Sequence, residues 1–270
     1  VAWALNATIQ YITQSSVEGT LRDLTTQSDP WPWLRVLGVA MSPNQQVFRT
    51  DSIGFLPEIL AAMYTERKQA KGKETAAKKL AQSLPPGAEK TAAYRESVKF
   101  GLQQSTIKVC LNSCYGAIGN EFHRFFDVRQ AEAVTSMGQV IIRYVAHVMN
   151  KFLNAEFGTD QEYAIYADTD SVYLRLDRVA AGLRDVDIVS ALDDYCERVL
   201  QPKIDAAFMH IGYTLNTIDN ILAMKREVIA ERGVWTAKKR YMLWVHDNEG
   251  VRYTDPQLKM TGQEVMRSST

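Results

Sequence analysis

Hydrophobic residues recur at helical spacing in two long runs of the chain, separated by a proline-rich break. The first run begins near Pro57 and ends near Ser83, just before Pro85-Pro86-Gly87. The second run begins near Ala88 and continues to Tyr115. Because apolar side chains three or four positions apart share one face of a helix, each run predicts a long helix. The tight turn between them predicts an antiparallel helical hairpin whose arms are each on the order of 40 Å long.

The rest of the chain predicts shorter helices interleaved with β-hairpins. Further helical patterns cover Ala2 to Thr13, Ala131 to Leu153 and Ile188 to Met209. Runs rich in β-formers cover Leu34 to Met41, Val47 to Arg49, Tyr163 to Ala167, Val172 to Leu176, Ala223 to Ala230, Trp235 to Val245 and Val251 to Lys259. This mixture favours an α+β fold with antiparallel strands over a doubly wound parallel sheet.

Two acidic residues mark the tip of one predicted hairpin. Asp168 and Asp170 are one residue apart at the end of an apolar strand. In an extended segment such residues lie on the same face, so their carboxylates could converge on one cation. Mg²⁺ suits the site because it takes one or two protein carboxylates and completes its shell with water and substrate phosphates. The alternative is a hairpin turn in which the acids bind nearby backbone amides.

A basic face marks the second long helix. Lys108, Asn112 and Tyr115 are spaced so that they share one side, and Arg67 and Lys71 share a side of the first helix. A cation, an amide and a ring together suit a nucleoside triphosphate, with charge for phosphate and the ring for sugar or base. The alternative is a solvated basic helix with an incidental tyrosine.

The net charge becomes informative about function only when it is counted separately for different segments of the chain. The chain has 31 basic and 31 acidic residues, a balance that by itself argues against a nucleic-acid-binding protein. Residues 62–108, however, hold 10 basic and 4 acidic residues, whereas residues 161–230 hold 7 basic and 12 acidic residues. A basic arm and an acidic hairpin are what phosphoryl transfer needs, since cations hold phosphates and carboxylates hold the metal.

A third candidate is the basic run from Lys238 to Tyr241, which the pattern places within a strand. On a strand Lys239 and Tyr241 would face one side, and Lys238 and Arg240 the other. Contacts with a nucleic-acid backbone would explain this arrangement, and so would a charged edge strand that prevents aggregation.

Composition excludes several classes of protein. The three cysteines form no Cys-x-x-Cys pair, so neither a disulfide framework nor a zinc site is predicted, and a reducing, cytoplasmic compartment is expected. Charged residues interrupt the best apolar run, Val140 to Leu153, so no membrane helix is expected. Because the chain starts at Val1 inside an apolar run, we interpret it as a fragment.

The three candidates together resemble a known family. The runs Lys108 to Gly116, Tyr166 to Ser171 and Lys238 to Tyr241 resemble, in order, motif B, motif C and the K-K-R-Y motif of family B DNA polymerases. Their surroundings are most similar to the T-even-type phage branch, from about Ser42 to Thr270. The resemblance implies a palm-proximal segment over 1–54, a fingers hairpin over 55–120, and a palm of antiparallel sheet with packing helices over 121–270.

Carried over position by position, the resemblance also implies roles for individual residues. Asp170 would bind the two catalytic Mg²⁺ ions, and Asp168 would assist. The incoming deoxynucleoside triphosphate (dNTP) would be bound by Arg67, Lys71, Lys108, Asn112 and Tyr115. Primer-template DNA would be contacted by Lys238, Lys239, Arg240 and Tyr241, and Glu227 would approach the primer end.

The sequence also departs from the family pattern. The first catalytic motif, an aspartate before Ser-Leu-Tyr-Pro, has no match here, and the exonuclease and thumb regions are absent. We therefore expect this chain to be inactive alone and to need a longer parent chain or a second chain with that aspartate. The alternatives are the C-terminal subunit of a split polymerase and a non-catalytic DNA-binding remnant. A sliding-clamp partner follows from the resemblance alone.

Overall fold

The computed structural model describes residues 17–26, 29–183, 187–218 and 221–262. Contacts divide the described residues into two compact units: residues 51–131 with 249–251 form one, and the other described residues form the second. The helix expected over Ala2 to Thr13 lies outside the described residues, as does the end of the family similarity at Thr270.

The described chain contains helices and antiparallel strands. The helices are α1 (Val17–Thr25), α2 (Trp33–Leu37), α3 (Phe55–Ser83), α4 (Ala88–Ile118), α5 (Val128–Phe157), α6 (Asp177–Gly182), α7 (Ile188–Tyr195) and α8 (Gln201–Leu215), with a π-helical segment, Cys196–Leu200, between α7 and α8. The strands are β1 (Val39–Met41), β2 (Val47–Arg49), β3 (Ala164–Asp168), β4 (Ser171–Leu174), β5 (Val228–Ala237), β6 (Arg240–Asn248) and β7 (Val251–Thr261). They pair as β1-β2, β3-β4 and β5-β6-β7. The predicted α+β fold is confirmed.

Small side chains line the contact between α3 and α4. Ala70, Ala77 and Ala81 on α3, and Ala93 and Ser97 on α4, are buried. Such residues let two helix backbones approach closely, since interaxial distance depends on the side chains at the contact. The predicted helical hairpin is therefore present.

Three larger apolar residues of α4 are not buried at that contact. Tyr94, Val98 and Leu102, which indicated the helical period, are all exposed. The spacing of these residues correctly predicted a helix, but the side of α4 that packs against α3 carries small residues.

The core of the other unit is built around α5. Along this helix Val140, Val145, Met149 and Leu153 are almost completely buried, as the broad apolar stripe predicted. They pack in one cluster with residues of α1, α2 and α8, including Leu24, Leu34, Phe208, Ile211 and Leu215. Full burial of each large apolar side chain stabilises the fold by roughly 1.5–3 kcal/mol.

Three predicted elements are corrected by the structure. Leu34 to Leu37 lie in helix α2 rather than a strand, and Gly38 ends that helix at a φ of +62°, which glycine adopts without strain. The strand expected from Ala223 begins only at Val228. The helix expected over Ile188 to Met209 is interrupted by the π-helical segment, because Pro202 lacks an N–H and its ring would crowd the carbonyl of residue 198.

No helix in the described ranges is both long enough and apolar enough to span a membrane.

Candidate active site

Four aromatic side chains hold the β3-β4 hairpin against the β5-β6 hairpin. Tyr166 and Tyr173 are cross-strand partners in the first, and Trp235 and Tyr241 are partners in the second. Ring centroids across the two hairpins lie 5.4 to 6.0 Å apart, for example Tyr173 with Tyr241 at 5.4 Å and Tyr166 with Trp235 at 6.0 Å. We call these four residues the aromatic cluster. Our sequence analysis did not identify it, although aromatic residues at opposed positions in both hairpins were a usable signal.

The acidic tip is a tight turn rather than an extended strand. Asp168 is the last residue of β3, and Thr169 follows at a φ of +55°. The N–H of Asp170 and the hydroxyl of Ser171 both donate to the carbonyl of Asp168, at 2.6 and 3.2 Å. The extended geometry on which we expected the two carboxylates to share a face therefore ends at Asp168.

The two carboxylates have different surroundings. The Asp168 side chain is 19% exposed, and its Oδ1 accepts a 2.9 Å hydrogen bond from the Thr169 hydroxyl and lies 3.1 Å from Nζ of Lys239. Asp170 is exposed, and among the described residues its carboxylate has no hydrogen-bond or ion-pair partner. Asp170 is thus the more accessible acid.

The first half of the basic run forms the turn between β5 and β6, whereas we had placed the whole run within a strand; Arg240 and Tyr241 do lie in a strand, β6. Ala237 pairs with Arg240, so Lys238 and Lys239 make the turn, with Lys239 at a φ of +62°. The N–H of Lys239 donates a 2.7 Å hydrogen bond to the Tyr166 hydroxyl. Lys238, Lys239 and Arg240 are exposed.

Tyr241 differs from the three basic residues before it. Its side chain is buried in the aromatic cluster, and its hydroxyl accepts a 2.8 Å hydrogen bond from the hydroxyl of Tyr173. Burial, followed by this hydrogen bond, raises the pKa of Tyr173, and the negative charge of Glu227 adds to the effect. Glu227 itself is exposed and immediately precedes β5.

An ion network anchors the chain beside Glu227. Arg226 donates to Asp193 of α7 at 2.6 and 2.9 Å and also to Asp247 of β6, whose side chain is 2% exposed. Arg252 lies 3.3 Å from the same Asp247 carboxylate. Burial alone would lower the pKa of Arg226, but the hydrogen bonds to Asp247 and Asp193 outweigh it and raise that pKa.

This network was also absent from our sequence analysis. Its signal was the alternation of Leu243, Val245 and Asp247, three residues that lie on the buried face of β6. A charged residue at a buried position of an alternating strand indicates a buried partner of opposite charge.

The predicted triphosphate residues all lie on the helical hairpin. Lys108 and Asn112 are exposed, and Tyr115 is 40% exposed. Nε of Arg67 is buried, and within the part of the chain that the structure describes it has no hydrogen-bond partner. Lys71 instead forms a 2.7 Å ion pair with Glu249, which belongs to the same unit.

A contact between Gln103 and Glu66, at 3.4 Å, sets the register of the two arms. From this register, at 1.5 Å of rise per residue, Arg67 lies about 9 Å along the hairpin from Lys108, and Lys71 lies about 15 Å from it. Among the described residues no hydrogen bond or ion pair joins the five predicted triphosphate residues to one another.

The acidic tip suits Mg²⁺ by its donor atoms. Asp168 and Asp170 supply hard carboxylate oxygens, and Mg²⁺ is commonly held by one or two carboxylates together with substrate phosphates. Within the described ranges no group of three or more His, Cys, Asp or Glu side chains is placed to hold a metal ion. The tip therefore offers part of a metal site.

Comparison with known proteins identifies the same family as the motifs. Residues 9–209 match the model of DNA polymerase family B. The DNA-directed DNA polymerase of Escherichia phage RB69 is 30% identical over 281 residues, covering 85% of this chain and 31% of that protein. The DNA-directed DNA polymerase of Enterobacteria phage T4 is 31% identical over the same length, with the same coverage. A solved family B DNA polymerase from the archaeon Pyrobaculum calidifontis aligns with 83% of this chain and 22% of its own, at 21% identity and a TM-score of 0.40.

The family match includes the first two sequence motifs and the β3-β4 hairpin with its two acids. The chain spans about a third of the length of the two phage polymerases. The family match nevertheless extends over most of the chain, and the chain belongs to DNA polymerase family B.

Proposed function

We propose that this chain supplies the fingers, over 55–120, and part of the palm, over 121–270, of a template-directed DNA polymerase. The reaction is attack of a primer 3′-hydroxyl on the α-phosphate of a dNTP. The observation that carries the proposal is the direct contact between the acidic tip and the basic turn, through Lys239 and Asp168. It supports the proposal because it joins a carboxylate of the type that binds Mg²⁺ to basic side chains of the type that bind phosphate.

We assign the metal site to Asp170, with Asp168 assisting. Bound Mg²⁺ would supply neutralisation of the charge that develops on the transferring phosphoryl group. Asp170 is the accessible acid, and its main-chain N–H is held by Asp168, which fixes the turn. Both side chains therefore lie on a backbone that is ordered by its own hydrogen bonds.

We assign phosphate binding to two basic surfaces. Arg67, Lys71 and Lys108, with Asn112, would hold the triphosphate, and Tyr115 would lie near its sugar. Lys238, Lys239 and Arg240 would contact the DNA backbone, while Tyr241 would support the turn from within the aromatic cluster. Glu227, held in place by the anchored Arg226, would approach the primer end.

The proposed activity requires a carboxylate that this chain lacks. Two acids on one turn form only part of a two-metal site, and the aspartate of the first family motif has no counterpart here. We infer that it comes from a longer parent chain or a second chain, as in a split polymerase. Primer-template DNA and dNTPs are the substrates, and a sliding clamp is a further partner by family resemblance. The cytoplasm, that of the host if the protein is viral, is the proposed location.

Mg²⁺-dependent dNTP binding tests the proposal against the alternative of a non-catalytic DNA-binding remnant. Binding of a fluorescent dNTP by the purified chain should require Mg²⁺ and should weaken about tenfold in Lys108→Ala, because one charge-assisted phosphate contact is lost. Lys90→Ala, near the distal end of the hairpin, is the matched control and should bind normally. Binding that ignores both Mg²⁺ and Lys108 would favour the remnant. Primer extension by the isolated chain would refute its incompleteness.

A further inference from the structure

Lys239 is held at two separate points by the hairpin that bears the acids. Its main-chain N–H donates to the Tyr166 hydroxyl at 2.7 Å. Its ammonium lies 3.1 Å from Oδ1 of Asp168 and 3.3 Å from the Thr169 hydroxyl. One residue of the basic turn thus contacts the acidic tip through both its backbone and its side chain.

The two points of attachment differ in strength. Tyr166 is packed within 5.5 to 6.0 Å of the other three rings of the aromatic cluster, so the main-chain contact belongs to a rigid part of the unit. The Lys239 side chain is 61% exposed, and ion pairs in such surroundings contribute little net free energy. The turn can therefore stay docked while the ammonium exchanges Asp168 for another partner.

Each of the two proposed ligands would bind a different member of that ion pair. A DNA phosphate would attract the ammonium of Lys239 away from Asp168. A divalent cation at the acidic tip would repel the same ammonium and take the carboxylate. Either ligand breaks the pair, so whichever binds second no longer has to break it.

We propose that Lys239 is a positioning residue that couples duplex DNA binding to divalent-cation binding. In the free protein its ammonium neutralises Asp168, and each ligand releases the residue that the other needs. The coupling is reciprocal, because a ligand that strengthens the binding of another must be strengthened by the same factor in return. This inference rests on the proposed function of both hairpins.

The adjacent Lys238 provides a matched control. It is exposed, carries the same charge, and lies in the same two-residue turn. Among the described residues it makes no hydrogen bond or ion pair with Asp168. Replacing Lys238 removes one positive charge from the turn but leaves the ion pair between Lys239 and Asp168 in place.

The test measures Mn²⁺ binding to the 270-residue chain by electron paramagnetic resonance, with and without a short duplex that has a recessed 3′ end. Mn²⁺ bound by the duplex alone is subtracted, and Asp170→Asn gives the background of the protein. In the wild-type chain the duplex should tighten Mn²⁺ binding several-fold. In Lys239→Gly, which accepts the positive φ, Mn²⁺ should bind more tightly without DNA, and the duplex should add no further tightening.

Three further variants separate the effect of the ion pair from an effect on the fold. Lys239→Arg keeps a cation beside Asp168 and should retain the coupling. Lys238→Ala should weaken duplex binding but also retain it. Lys239→Asn, which likewise tolerates a positive φ, should repeat the result of Lys239→Gly if circular dichroism shows that the glycine variant is misfolded.

The possible failures are distinguishable. A chain that binds both ligands independently, or coupling that survives in Lys239→Gly and Lys239→Asn, overturns the role of Lys239 and leaves the proposed polymerase function intact. A wild-type chain that binds neither duplex nor Mn²⁺ overturns the proposed function, and the coupling with it.

Discussion

The hydroxyl of Tyr173 donates a 2.8 Å hydrogen bond to the hydroxyl of Tyr241, joining the hairpin that carries the acids to the hairpin that carries the basic turn. Both rings belong to the aromatic cluster, with centroids 5.4 Å apart. The bond joins β4 to β6, and each of these strands adjoins one of the two turns. Its surroundings also raise the pKa of Tyr173, chiefly by burial.

That pKa predicts how stability depends on alkaline pH. The pKa of Tyr173 is higher in the folded chain than its ordinary value of 10.0. The contribution of the protonated Tyr173 side chain to the free energy of unfolding is therefore fully present below pH 10 and is lost as the pH rises above it. Tyr173→Phe should lose about 1 kcal/mol at pH 8, the net contribution of one hydrogen bond. It should also show a shallower fall in the free energy of unfolding between pH 10 and 11.

Urea denaturation at several pH values measures both effects. Tyr94→Phe is the control, since Tyr94 is an exposed tyrosine of α4. It should match the wild-type chain at every pH. An unchanged alkaline slope in Tyr173→Phe would show that another group causes the loss of stability.

The buried carboxylate of Asp247 should be among the most sensitive positions in the sheet. Asp247→Ala leaves Arg226, whose side chain is only 16% exposed, without its buried partner. Removing one member of a buried ion pair typically costs 3–5 kcal/mol, and we expect about 3 kcal/mol because Asp193 still binds Arg226. Asp194→Ala removes an exposed pair with Arg198 on the same helical stretch and should cost roughly 0–1 kcal/mol. Equal losses of unfolding free energy in the two variants would contradict the assigned network.

The close packing of α3 and α4 predicts a contrast between two neighbouring alanines. Ala93 is buried against α3, whereas Ala92 is exposed. Ala93→Leu should destabilise the helical hairpin by about 1–3 kcal/mol, because the larger side chain has no space at the contact. Ala92→Leu adds the same atoms at an exposed site and should change stability little. Thermal unfolding of the two variants measures the difference, and similar melting temperatures would exclude the tight contact.

The sequence predicted elements well where one periodicity ran without interruption. The broad stripe of α5 and the break at Pro85-Pro86-Gly87 gave both the core helix and the helical hairpin. Turn geometry was harder to predict. Lys238 and Lys239 looked like strand residues because β-formers flank them, and only Lys239's positive φ and the pairing of Ala237 with Arg240 reveal a turn.

The candidate site was predicted as separate motifs rather than as a connected structure. Asp168 was predicted to bind a metal ion and Lys239 to contact DNA. Nothing in the local spacing of either motif indicated that these two residues, which are far apart in the sequence, contact each other. Tyr166 had no assigned role at all. Contacts between distant segments depend on tertiary packing, which neither residue propensity nor periodicity records.

Cys110 and Cys196 should react at different rates because they differ in burial. Burial raises the pKa of the Cys196 thiol to about 11, whereas Cys110 is exposed on α4. The thiolate is the reactive form, so at pH 8 only about 0.1% of Cys196 is reactive. Cys110 should be alkylated by iodoacetamide first, and the Cys196 rate should rise about tenfold per pH unit between 8 and 10.

Mass spectrometry of the digested chain gives each rate, and labelling in urea, where burial is lost, is the control. Comparable rates for Cys110 and Cys196 at pH 8 in the folded chain would show that packing against the apolar core does not protect Cys196.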